Sequence, residues 1–401
     1  MKGKPNMNKN YNRTIYSCFA AYIVQAIVNN FVPLLFVTFR SEFNIPLSKI
    51  TLLITLNFLI QLCVDLCSVK FVDKIGYRAS AILAHILATV GLASLAFLPN
   101  IMPDPFIGLL ISVFFYAIGG GLLEVIISPI VESCPTDNKE MAMSLLHSFY
   151  CWGQLAVVLI STAFFQFIGI SNWRIMAIIW AIFPLANMFS FFTCPLAPIL
   201  PEGEEGKSLK ELLTDKIFWV VVVLMACAGA SEQAVSQWAS TFAETSLGIT
   251  KTLGDLLGPA FFALLMAISR TIYGKFGEKM NLTKFMIGSG VLCVISYLMI
   301  CLVPVPMVNL IGCGITGFAV GIFWPGTFSK ASASIRGGGT AMFALLALAG
   351  DVGCSGGPTL VGMVSSAFGD NLSAGIGFGI IFPVLMILGL VALEKIPSKK
   401  N

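Results

Sequence analysis

Twelve apolar runs, each about 20 residues or longer, recur along this chain of 401 residues, and a chain built this way has no water-soluble fold. Wound as a helix rising 1.5 Å per residue, about 20 such residues cross the roughly 30 Å of hydrocarbon in a bilayer. The runs fall near residues 14–38, 48–70, 79–98, 107–131, 143–168, 172–195, 216–241, 254–274, 283–303, 306–329, 338–367 and 372–394. They are continuously apolar rather than alternating, which excludes a closed β-barrel. Hydrophobic residues make up 57% of the chain, charged residues only 11%, and the mean hydropathy is +0.89. An all-α polytopic membrane protein follows. The 37 glycines and 19 prolines suit transmembrane helices, whose neighbours re-satisfy broken backbone bonds.

Lysines and arginines give the orientation. With the N-terminus inside, 20 of the 24 fall in cytoplasmic segments and 4 in outer loops, so both termini are expected in the cytoplasm. The first run is too long for a cleavable signal and lacks a small-residue cleavage site, so it is expected to remain as helix one. The net charge of +4 is explained by this topology and calls for no nucleic-acid partner. Eleven cysteines lie mostly within the runs, without CxxC pairs or His-rich spacing, and read as packing residues; neither a metal nor a cofactor is expected.

One long polar connection, Pro195 to Lys216, carries prolines, glycines and mixed charges, with Leu209 to Leu213 as a short surface helix. It divides the chain into an N-terminal six-helix bundle (1–195), a linker (196–215) and a C-terminal six-helix bundle (216–401). The halves echo one another: VDKIGYR (72–78) and YGKFGEK (273–279) fall at equivalent places, each a short basic turn around a glycine. Internal repetition of this kind marks a transporter built from two bundles.

Charged and amide side chains inside the apolar runs are the candidate site. Glu124 lies in GGGLLEVIISPIV, about 7 Å from the midpoint of its helix on the cytoplasmic side. A charge near the bilayer centre costs roughly 2.5–3.5 kcal/mol, so such groups face a pathway or a partner. Two readings stand: a carboxyl that carries a proton in transit, or one permanently paired to hold helices together. His147, at similar depth in helix five, is within geometric reach as a proton relay, a sugar ligand or a packing residue. Asp351, near the middle of helix eleven, is a second coupling carboxylate or a packing element beside its glycines. In helix seven, Gln233 and Gln237 share a face beside Glu232, each offering donors and acceptors to paired hydroxyls. Trp238 follows, either as a flat surface for a pyranose ring or as an interfacial anchor. Gln25 and Asn29 make a stripe in helix one, and Asn57, Gln61 and Asp65 another in helix two, whose oxygens also suit sodium. His85 has no motif around it and reads as structural.

These features resemble the major facilitator superfamily over all twelve helices. Asp73 to Arg78 is similar to that superfamily's loop between helices two and three, although Val69 stands where the family pattern opens with glycine. The resemblance implies a cytoplasmic gate involving Asp73, Gly76 and Arg78; a solvated, charge-balanced turn is the other reading. Gly121 to Glu124, Ser128-Pro129, Leu145 to Tyr150, Trp152-Gly153, Asn29-Asn30 and Phe323-Trp324-Pro325 resemble the fucose permease branch of sugar:proton symporters, as does the Glu-x5-Trp spacing of helix seven. In that branch the helix-four glutamate is a proton and sugar site, a role carried here to Glu124; the branch's helix-one aspartate has no counterpart among Phe31, Val32 and Pro33.

The expectation is a monomeric plasma-membrane transporter in which the two bundles rock around a central site. Its substrate is a monosaccharide or polyol held by Gln25, Asn29, Asn30, Tyr150, Glu232, Gln233 and Gln237, with Trp238 or Trp324 stacking. Glu124, His147 and Asp351 would couple it to H+. Sodium-coupled uptake and proton-antiport efflux of amphipathic compounds are the alternatives. An enzyme is not expected, since no nucleophile with a neighbouring base, phosphate loop or metal-ligand spacing occurs in the sequence.

Overall fold

The computed structural model describes residues 11–135, 139–197, 209–276, 281–335 and 339–395, and the regular elements among them are all helical. Eleven helical stretches in these residues are long and apolar enough to cross a membrane. A further helix, Gly339–Ala367, has the length, at 29 residues, and carries Asp351 and four glycines between Gly350 and Gly357 in its middle. With it, the described residues hold the twelve crossings of two six-helix bundles.

The first half contains α1 (Asn12–Asn30), α2 (Phe36–Phe43), α3 (Leu47–Ile75), α4 (Tyr77–Ser94), the short α5 (Leu98–Ile101), α6 (Pro105–Ser133), α7 (Lys139–Ile168) and α8 (Trp173–Thr193). The expected surface helix of the linker is α9 (Leu209–Thr214). Then come α10 (Lys216–Ser236), α11 (Ala239–Thr245), α12 (Lys251–Asp255), α13 (Phe261–Phe276), α14 (Leu282–Leu302), α15 (Pro306–Val320), α16 (Phe323–Ser334), α17 (Gly339–Ala367), α18 (Leu372–Phe378) and α19 (Ile381–Lys395).

Several crossings are two helices in line rather than one, and proline explains two of the breaks. Pro33 lacks an N–H and its ring blocks the carbonyl four residues back, so the first crossing tightens to a 3-10 turn at Val32–Leu35 before continuing as α2. Pro259 sits in a π turn, Leu256–Ala260, between α12 and α13. Other breaks fall at Gly321, between α15 and α16, and at Gly379, between α18 and α19.

By contact, the chain divides into two compact units: Met1–Leu35 with Ile60–Glu202, and Phe36–Leu59 with Gly203–Asn401. In the first, α1 packs against α6, α7 and α8, and α4 against α6 and α8. Three consecutive glycines of α6 serve three neighbours, because successive helical residues point about 100° apart. A β-carbon at Gly119 would lie 2.6 Å from the Ala84 carbonyl oxygen of α4, one at Gly120 would lie 3.0 Å from Val28 of α1, and one at Gly121 would lie 3.0 Å from the Gln61 backbone of α3. The GGG sequence thus lets three helices close on α6. Glu124 lies one turn beyond Gly120 and so shares the face turned to α1.

In the second unit, α10 packs along α17 and α19, and α14 along α15 and α19. Phe36–Leu59 is tied into this unit by an Arg40–Asp370 ion pair at 2.7 Å and a Thr55–Thr359 hydroxyl bond at 2.5 Å. Phe36 also meets the Trp238 ring at 5.7 Å between centroids.

Candidate functional site

The first unit holds a polar cluster, buried on α1 and half-buried on α6, on the face of α1 that turns to α6, α3 and α7. Tyr22, Gln25 and Asn29 recur at helical spacing and are all buried. The Gln25 amide Nε2 donates to Glu124 Oε2 at 2.7 Å, and the Tyr22 and Ser128 hydroxyls bond at 2.9 Å. Glu124 and Ser128, four apart on α6, therefore meet Gln25 and Tyr22, three apart on α1. Deeper along α1, Gln61 donates from α3 to the Asn29 side-chain oxygen at 2.8 Å. Asn30 donates to the Ala26 carbonyl at 2.9 Å and to the Tyr150 hydroxyl of α7 at 3.4 Å. His147 lies exposed on α7 with its ring edge-on to Tyr22, 5.4 Å between centroids. Gln25, Asn29, Asn30, Glu124, His147 and Tyr150 are thus brought into one neighbourhood, with Tyr22 and Ser128 as members that the sequence pattern alone did not single out. His85 is fully buried elsewhere, its Nδ1 2.7 Å from the Ala81 carbonyl and its Nε2 2.9 Å from the Asn187 amide, which ties α4 to α8.

The second unit holds another cluster on α10. Glu232, Gln233 and Gln237 are all buried. Gln237 Nε2 donates to Gln233 Oε1 at 3.0 Å, Gln233 Nε2 donates to Glu232 Oε1 at 3.3 Å, and Arg270 of α13 forms an ion pair with Glu232 Oε2 at 3.4 Å. The Tyr297 hydroxyl donates to the Ser231 carbonyl at 2.8 Å and pins the same turn of α10 to α14. Arg270, which the sequence pattern did not single out, lies inside α13, and the clue was its position within the apolar run 254–274.

Trp238, expected to offer its face to a pyranose or to anchor at an interface, is completely enclosed, and its indole N–H donates to the Pro358 carbonyl at 2.9 Å. The ring therefore serves packing between α10 and α17 in this structure. Trp324 is half-buried and close-packed on α17: a β-carbon at Gly350 would lie 2.3 Å from its ring. Asp351, the next residue, is buried. Asn57 of α3 is buried and Asp65 half-buried.

Of the expected gating residues, the Asp73 side chain lies outside the described residues. Gly76 separates α3 from α4 with φ +83°, a left-handed conformation that glycine adopts without strain. Arg78 donates to the Phe192 and Cys194 carbonyls at 3.0 and 2.8 Å and also to the Phe191 carbonyl, all at the C-terminal end of α8. A cation there satisfies carbonyls that have no partner within the helix and opposes the helix dipole. Arg78→Ala is expected to lower stability by about 1.5–3 kcal/mol, the range for hydrogen bonds to a charged group, visible as a lower melting temperature in detergent. An unchanged melt with lost transport would make Arg78 a gate and not an anchor.

The model of the Major Facilitator Superfamily matches residues 17–358. No curated protein sequence matches the chain. Among solved structures, it is similar to the E. coli fucose:proton symporter FucP, at 15% identity and TM-score 0.67, covering 96% of this chain and 99% of that one. It is also similar to the proton:xylose symporter XylE bound to 6-bromo-6-deoxy-D-glucose, at 13% identity and TM-score 0.76, covering 97% and 96%. A bacterial homologue of the human lysosomal transporter Spinster, in an inward-facing and unoccupied conformation, gives 16% identity and TM-score 0.71, covering 98% and 96%.

Proposed function

This chain belongs to the major facilitator superfamily, and on that premise we propose that it is a proton-coupled symporter for a monosaccharide or related polyol, working by alternating access. The observation that carries the reading is the part-buried Gln25–Glu124 bond at 2.7 Å between α1 and α6 of the first unit. A carboxyl there, bonded to an amide and one turn from Ser128, can exchange a proton while its neighbours exchange hydrogen bonds with a polyhydroxy solute. Gln25, Asn29, Asn30 and Tyr150 supply the first unit's donors and acceptors; Glu232, Gln233 and Gln237 supply the second's, and Trp324 an aromatic surface. Asp351 and His147 remain candidates for the proton's route, and Asp73 and Gly76 for the gate. The shared fold of FucP and XylE, both named as sugar:proton symporters, supports the same substrate class. The lysine and arginine asymmetry supports an orientation with both termini in the cytoplasm.

The test is uptake of labelled monosaccharides and polyols into proteoliposomes, driven in turn by a pH gradient and a sodium gradient. Accumulation with the pH gradient alone is expected. Accumulation with sodium alone overturns the proton assignment, and export of lipophilic compounds with no sugar movement overturns the substrate class.

A further inference from the structure

The second unit's ion pair has a directional consequence. Ionised Glu232 accepts hydrogen bonds and donates none, while the guanidinium of Arg270 donates and never accepts. With Arg270 on Oε2, the remaining oxygen Oε1 must meet a donor, so Gln233 turns its NH2 to Glu232 and its carbonyl oxygen away. That oxygen in turn requires the NH2 of Gln237, as observed at 3.0 Å. Gln237 then turns its own carbonyl oxygen away from Gln233. Each amide's orientation is thereby set by the charge on Glu232, independently of how nitrogen and oxygen are told apart. Without the pair, either direction along the two amides would satisfy the same contacts.

We propose that Arg270 is a positioning residue that, through its ion pair with Glu232, fixes the direction of the Gln233–Gln237 amide chain, so that a substrate hydroxyl meets these amides in one orientation and not two. The last clause rests on the sugar reading above; the direction of the chain does not.

Melting curves of the purified full-length protein at pH 8 test the direction. Glu at position 237 sets two acceptors face to face if the chain runs as described, so Gln237→Glu is expected to lower the melting temperature by at least 5 °C. In the charge-free background Arg270→Met with Glu232→Gln, the chain can reverse and offer Gln233's NH2 to Glu at 237. The same change should then cost less than half as much. Equal losses in the two backgrounds overturn the proposal. Arg270→Lys keeps the charge and is expected to retain the full Gln237→Glu penalty; its loss there also overturns it. A second readout addresses substrate: the native protein is expected to prefer a parent sugar at least tenfold over an analogue with fluorine in place of one hydroxyl, and the charge-free background to narrow that gap below threefold. Failure of every monosaccharide and polyol to stabilise the native protein overturns the sugar reading alone, because the melting comparison needs no ligand.

Discussion

Glu124→Gln is expected to leave sugar exchange near the native rate while abolishing accumulation driven by a pH gradient. The substitution keeps shape and leaves an acceptor for the Gln25 amide, which bonds the native carboxyl at 2.7 Å, so the α1–α6 contact should survive. What it removes is the titratable proton. Each unit of pH gradient stores about 1.36 kcal/mol per proton, which supports about tenfold accumulation for one proton per solute. Counterflow, where labelled sugar exchanges against unlabelled at equal pH, needs no such energy. A native counterflow rate with accumulation cut from about tenfold to unity per pH unit is therefore the expected pair of results in proteoliposomes. Unaltered accumulation would take Glu124 out of the coupling path and leave it as a helix-pairing group. Gln25→Leu complements the test: it removes the carboxyl's partner without removing the proton, so coupling should persist with weakened substrate affinity.

The parts of this molecule that were legible in sequence are those governed by the bilayer itself. Apolar length marks a crossing whatever the helix touches, so eleven crossings are recovered by length and hydropathy. The twelfth, α17, is an apolar run in the sequence as well, and its polar middle lies on a helix that packs against α10. A single carboxylate in an apolar run is likewise visible, because its cost does not depend on knowing its partner. Glu124 stands out for that reason, and Arg270, within the apolar run 254–274, carries the same signal. Trp238 shows the limit of the approach. Its type suits both a sugar platform and a buried wedge, and only the register of α10 against α17 gives its N–H to Pro358. Tyr22 went unnamed, and Ser128 entered only through a resemblance, for a related reason: a hydroxyl on a helix declares nothing until the opposite helix supplies its partner. The glycines carried more information than their count implied, since Gly119, Gly120 and Gly121 each face a different neighbour.

The largest structural effect is expected at Gly353. A β-carbon there would lie 1.9 Å from the Ala226 carbonyl oxygen of α10, where a carbon and an oxygen in contact need more than 3 Å. No rotamer relieves that clash, because both partners are backbone. On either side, a β-carbon at Gly229 would meet the Gly350 carbonyl oxygen at 2.2 Å, and one at Gly357 the Ala230 carbonyl oxygen at 2.5 Å. The two helices are therefore in backbone contact along three turns, and close packing of small residues is what drives helix association where lipid removes the hydrophobic incentive. Gly353→Ala must push α10 and α17 apart and loosen all three contacts together. Overpacking costs about 1–3 kcal/mol where side chains can give way, and Gly353→Leu should exceed that range and prevent recovery of a folded, monodisperse protein. Gly356 is the control: it lies on the same helix with nothing within 4 Å of a β-carbon. Gly356→Ala should be neutral or stabilising by up to about 1 kcal/mol, since alanine favours the helix. Melting curves of the two alanine variants decide the matter: equal stability would mean that α10 and α17 are not in backbone contact. A selective loss at Gly353 should also impair sugar binding, because the amide chain from Glu232 to Gln237 rides on α10 and moves with it.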